Sequence, residues 1–362
     1  GLELAMLSHC VFLAACERVG DGPLFTGQVP DHVVERRRAA ISEAPADLQA
    51  DLRILARLNG VIGPEIANAC TCVSEWARNA GHLRTAAIFA EAGAATSPED
   101  ATAAFFAGRA NRMLNEVWRG ELFYMRAVRL AYRSLRWDIY IRAHLGLGRL
   151  MADTGRRDAA LKAYATAASV AETEGIEWLA AQTYHDLLVL HFDSGALGEA
   201  LEYAFKAICT YPVHNERFPL AVHDLAFVLV AHGHAAEALP MLEAVIRAPL
   251  EAEYQLLVMG TLARAAGQLG KRDMVAGAEA MVLHTAPQYR FHAAFAMMNL
   301  AFGMRAQGFP CASPCGKSSA WCTALSAPTA SKWSPHLTTP WFRSGISFPA
   351  GADHCRCDTP PG

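Results

Sequence analysis

The 362-residue chain lacks any run of the roughly eighteen apolar residues that a membrane-spanning helix needs, so it is expected to have no membrane segment. It also lacks a charge excess. Thirty-two basic residues face thirty-five acidic ones, for a net charge of −3, which excludes the strongly basic footprint of a nucleic-acid or anionic-membrane binder. There is no G-x-x-x-x-G-K-[ST], no G-x-G-x-x-G opening a helix and no G-x-S-x-G. Gly316-Lys317-Ser318 imitates the end of a phosphate loop but has no leading glycine. The apolar start, Leu2 to Cys16, has no basic lead-in and carries Glu3, which argues against a secretion signal. Cys10, Cys16, Cys70, Cys72 and Cys209 sit among apolar residues, as buried thiols of a reducing compartment do, so a cytoplasmic location is expected. These absences predict a protein without catalytic residues, metal or cofactor.

What the chain has is repetition. Ala143-His-Leu-Gly-Leu-Gly-Arg-Leu is followed by Gly155-Arg-Arg-Asp-Ala-Ala-Leu, then by Tyr164 and Ala167. Forty residues later comes Asp186 to His191, then Gly195-Ala-Leu-Gly-Glu-Ala-Leu, then Ala204, Ala207 and Pro212. Each copy reads as helix, glycine bend, helix. Glycine suits the bend because it tolerates backbone angles that side chains resist, and alanines three or four apart let a neighbouring helix approach. With glycine as ruler, bends are expected at Gly81, Gly120, Gly155, Gly195, Gly233, Gly270 and Gly308. Small residues follow five positions on at Ala86, Ala160, Ala200 and Ala238, and Met125 and Val275 break that rule. Pro98, Pro212 and Pro287 are placed to end second helices. A fixed period of this size predicts a solenoid of helix pairs.

The pattern resembles the tetratricopeptide repeat family, in a long-period bacterial form, from Ala67 to Gly308. The family's small-residue slots hold Gly148, Ala160 and Ala167 in one unit and Ala226, Ala238 and Val245 in another, with Tyr164 in an aromatic slot. The family's first-helix tryptophan is missing and the period is a few residues long. Two-helix HEAT-like repeats compete on period. The resemblance implies an all-α, right-handed helical-hairpin solenoid that acts as a protein-interaction scaffold rather than an enzyme. It further implies a concave face, lined by first helices, that holds a peptide or helix of a protein partner. Carried onto this chain, that groove comprises Arg142, Arg149, Asp153, Gln182, His185, Phe192, Asp193, His223, Phe227 and Arg264. The alternative is a sensor module of a transcription or signalling protein whose output domain lies upstream of Gly1.

The dipeptides His185-Asp186 and His223-Asp224 invite a metal or acid–base reading. Their 38-residue separation equals that of Gly195 and Gly233, so repetition accounts for it. Adjacent residues on a helix are rotated by about 100°, so each histidine is expected to face away from its own aspartate.

Three segments follow. Residues 1–62 are expected to form a helical cap, with Pro45 opening a helix whose Leu48, Leu52, Leu55 and Leu58 share a face. Residues 63–308 form the repeat array. Residues 309–362 hold eight prolines, five cysteines and no glutamate, and read as a disordered, irregular or out-of-frame tail. Cys311, Cys315, Cys322, His354, Cys355 and Cys357 lack the paired C-x2-C spacing of a zinc site.

Overall fold

A computed structural model describes residue 41, residues 44–57 and residues 63–308. The rest of the expected cap, with the apolar start Leu2 to Cys16, and the tail from 309 lie outside the described residues. Among the described residues there are fourteen α-helices and no strand. They are α1 Gln49–Arg57, α2 Gly63–Asn79, α3 Leu83–Thr96, α4 Ala101–Met113, α5 Val117–Arg133, α6 Trp137–Asp153 and α7 Arg157–Thr173. The series continues with α8 Glu177–Asp193, α9 Leu197–Thr210, α10 Phe218–Ala231, α11 Ala235–Ile246, α12 Ala252–Gln268, α13 Arg272–Thr285 and α14 Arg290–Ala306. A single 3-10 turn, Ala286–Gln288, precedes α14. Two compact units divide between Leu150 and Met151, within α6. No helix among the described residues is long and apolar enough to cross a membrane.

One local device makes the hairpins. At the end of a first helix a residue turns left-handed, and the next N–H donates to the carbonyl five positions back. His82 donates to Ala77 at 2.7 Å, Glu116 to Asn111 at 2.9 Å, Ala196 to His191 at 3.0 Å and His234 to Leu229 at 2.9 Å. The left-handed residues are Gly81, Gly155, Gly195, Gly233, Gly270 and Gly308, as expected, but not Gly120. Gly120 lies inside α5, and the bend before that helix is made by Asn115, at φ 63°. Asparagine tolerates this conformation better than other residues with a side chain, so a ruler that accepts only glycine misses it.

With the bend at Asn115 the small-residue slot becomes regular in this repeat. Five residues after Asn115 stands Gly120, which fills the slot of the buried Ala86, Ala160, Ala200 and Ala238. A Cβ there would sit 3.3 Å from the Arg112 backbone nitrogen. Met125 therefore never occupied the slot. The same bend also joins one hairpin to the next, at Leu135 and Gly175, so bends recur every twenty residues from Asn115 to Gly195. Elsewhere proline ends the second helix: α3, α9 and α13 each stop at a threonine two residues before Pro98, Pro212 or Pro287.

The first unit buries Leu48, Leu52 and Leu55 against Ile66, Cys70 and Val73 of α2 and Phe89 of α3. Leu58 lies outside the described residues. A second cluster is built almost wholly of alanine, from Ala67 to Ala110. Beyond it Tyr124 is fully buried between two glycines, and a Cβ on Gly146 would stand 2.2 Å from its ring and one on Gly108 2.7 Å.

In the second unit the core runs through α10 to α14. There α12 and α14 meet backbone to backbone. A Cβ on Gly303 would lie 2.2 Å from the Ala263 carbonyl oxygen, and one on Gly267 2.2 Å from that of Gly303. Only glycine permits this approach.

Candidate partner-binding surface

First helices repeat their own slots. Counting back six residues from each bend gives Glu75, Arg109, Arg149, Phe227, Arg264 and Phe302, with Val189 in α8. Same-slot residues meet at Glu75 and Arg109 in the first unit and at Arg264 and Phe302 in the second. Each unit carries its own part of the candidate surface.

In the first unit Glu75 gathers two arginines. Arg78 donates to it through Nε and Nη2, both at 3.2 Å, and Arg109 through Nη1 at 3.0 Å. Burial, opposed by Glu75 and reinforced by the like charges of Arg78 and Arg142, pulls Arg109 down to about 10. It stays protonated at neutral pH, so two guanidinium groups share the Glu75 carboxylate. The partly exposed Arg142 lies over Phe105 at 4.6 Å and Phe106 at 5.8 Å. Such stacking holds a cation in place before any ligand arrives. Arg149, also partly exposed, adds its charge near buried Tyr124.

In the second unit four polar side chains form a chain across α8, α10 and α12. His185 Nε2 lies 2.6 Å from Asp224 Oδ2, His223 Nδ1 lies 3.0 Å from Asp224 Oδ1, and His223 Nε2 lies 3.0 Å from Thr261 Oγ1. Burial alone would raise the Asp224 carboxyl, but the hydrogen bonds from both imidazoles overcome it and hold the group at about 2. An ionised carboxylate only accepts, so both ring nitrogens that face it carry protons. His223 thus reaches its own neighbour, contrary to the helical-wheel argument. The interior seals both residues between helices, so the ring turns sideways toward the carboxylate rather than outward.

Thr, His and Asp in this order imitate a nucleophile, base and orienting acid. Thr261, however, has 0% of its surface exposed and donates to the Leu257 carbonyl at 3.2 Å. No substrate atom reaches it, and the chain serves as a buried polar staple between repeats.

Beside the staple runs an aromatic file, with Phe192 edge-on to Phe227 at 5.4 Å and Phe227 tilted to Phe295 at 5.1 Å. Arg264 sits over Phe302 at 4.8 Å and donates to Asn299 Oδ1 at 3.3 Å.

The ten expected groove residues thus separate. Arg142, Arg149, Asp153, His185, Phe192 and Arg264 are partly exposed. Gln182, Asp193, His223 and Phe227 are buried and offer no free surface. The structure joins His185 to His223 through Asp224, and Phe192 to Phe227. Sequence reasoning missed Phe105, Arg109 and Thr261. Arg109 was legible in principle, since it lies six residues before Asn115 as Arg149 does before Gly155.

No protein-family model matches the chain, and no curated protein is similar to it in sequence. Among solved structures, a Rap protein complexed with competence and sporulation factor overlays with a TM-score of 0.50 at 14% identity. The overlay covers 85% of this chain and 98% of that one. The fold is that of the tetratricopeptide-type repeat proteins. A second, looser likeness is to the Rap conjugation gene regulator of plasmid pLS20 in complex with the Phr* peptide, at TM-score 0.48 and 16% identity, over 85% and 95% of the two chains. A third is to the TPR-like repeats of a putative kinesin light chain from Podosopora anserina, at TM-score 0.43 and 18% identity, over 53% and 98%.

Proposed function

We propose that this tetratricopeptide-type chain is a protein-interaction scaffold whose first helices capture a peptide or helix of a partner protein. The observation that supports this reading most is the pre-positioned guanidinium. Arg142 over Phe105 and Arg264 over Phe302 each present a partly exposed cation held by an aromatic ring, on the row of helices that the family resemblance assigns to binding. A guanidinium fixed beforehand loses less freedom on forming charge-assisted bonds to a peptide carboxylate or carbonyl. The likeness to a Rap protein solved with competence and sporulation factor is consistent with this reading and, at 14% identity, speaks for the fold alone.

The test is selection of linear peptides from a displayed random library on the full chain, followed by calorimetry with Arg142→Glu and Arg264→Glu. Selected peptides are expected to bind wild type and to lose at least about tenfold in affinity, roughly 1.4 kcal/mol, to one of the two reversals. Failure to select any peptide, or equal binding by both variants, overturns the proposal.

A further inference from the structure

The second-helix row carries a different surface, one that the peptide-capture reading does not use. On α5, Trp118, Leu122, Met125 and Tyr132 are 64%, 56%, 58% and 61% exposed. With the exposed Arg129 they stand at intervals of four, three, four and three residues. That spacing is the narrow seam by which one helix packs along another. The opposite side of α5 is already satisfied, since Tyr124, Ala127, Leu130 and Ala131 are buried in the first unit's core.

Four of the five charged residues on α5 are arginines, Glu121 being the exception, so the helix is net basic. Arg119 donates to Glu91 at 3.2 Å, Arg133 lies 3.7 Å from Glu99 and Arg126 donates to the carbonyls of Ala94 and Pro98, so this flank is anchored to the preceding hairpin. The side chains of Arg119 and Arg133 remain 47% and 68% exposed. Arg129 stands within the apolar seam itself. A second copy would bring the same arginines against themselves, which charge disfavours. Anionic lipid would also favour these arginines, so vesicle flotation is kept as the outcome that separates a membrane from a helix. A helix with an apolar seam and acidic flanks satisfies both features, because its carboxylates would meet Arg129 and the exposed guanidinium groups.

We infer that the solvent face of α5 is a docking site for an acidic amphipathic helix of another protein. Two stapled helical peptides test it, with identical four–three apolar spacing and either glutamate or lysine at the flanking positions. Each is titrated by fluorescence anisotropy against the full chain, wild type and Leu122→Glu/Met125→Glu. The glutamate peptide is expected to bind wild type at least tenfold more tightly than the lysine peptide. The double variant, which changes only exposed groups, is expected to lose that binding with its circular dichroism and melting temperature unchanged. Arg129→Glu is expected to narrow the preference between the peptides. Binding of neither peptide, or equal binding of both, overturns the inference. So does self-association of wild type in sedimentation that the double variant abolishes, which would make a second copy the occupant. Flotation with phosphatidylserine–phosphatidylcholine vesicles that the double variant abolishes would overturn it in favour of lipid. Because Arg142 and Arg264 stand on first helices, α6 and α12, and not on α5, failure here leaves peptide capture by the first helices standing.

Discussion

His185 on α8 donates its Nε2 proton to Asp224 on α10 across 2.6 Å, so two successive hairpins are tied by a buried charge. Removing Asp224 deprives the mostly buried His185 of its acceptor, and removing His185 leaves the buried carboxylate with His223 alone, so each change costs more than the bond itself contributes. In a double-mutant cycle of His185→Ala and Asp224→Ala, the coupling energy is expected to be about 1–3 kcal/mol by urea denaturation. Additive losses would mean the pair does not form. The Asp224 carboxyl is held below its ordinary value, so its contribution is complete above pH 4 and is lost as pH falls toward 2.

Tyr124 fills the space that Gly146 leaves. Gly146→Ala places a methyl group within 2.2 Å of the ring and is expected to cost about 1–3 kcal/mol in unfolding free energy. Shrinking the ring in the same chain, with Tyr124→Leu, should make the pair less harmful than the sum of the two single changes.

Leu135 holds φ at 55°, where a side chain crowds the following carbonyl. Leu135→Gly is therefore expected to raise the urea midpoint by the equivalent of roughly 1 kcal/mol. Gly155, at φ 75° with nothing within 4 Å of a built Cβ, gives the converse test. Gly155→Ala should lower the midpoint by a similar amount through backbone strain alone.

His144 is half-buried, with both ring nitrogens shielded from solvent and not hydrogen-bonded, and burial pulls it from its ordinary 6.5 to about 4. Between these values the unfolded chain binds a proton that the folded chain refuses, so stability rises with pH across this window and is fully present above 6.5. Melting temperature is expected to fall between pH 7 and pH 5 in wild type. The fall should be smaller in His144→Phe; an equal fall in both would place the titration elsewhere.

The architecture was legible because one local rule, a left-handed bend after each first helix, repeats with small residues at a fixed distance behind it. It failed where the bend is not glycine. Asn115 and Leu135 adopt the same conformation without advertising it, and counting from Gly120 hid Arg109 by shifting one repeat five residues out of register. The site was less legible. Slot position marked His185 and His223, but only packing shows that Asp224 lies between them and that Phe227 and His223 are closed to solvent. Burial on a first helix depends on how closely the next repeat approaches, and that distance is set by residues about 38 positions away, such as Gly260 against Ala296.

Hydrogen–deuterium exchange on the full chain, with and without a selected linear peptide, tests the scaffold reading most directly. The account predicts slowed exchange in first helices, in α4 and α6 of the first unit or in α8, α10 and α12 of the second. Slowing confined to second helices such as α5, α9 and α11, or none at all at saturating peptide, would contradict it.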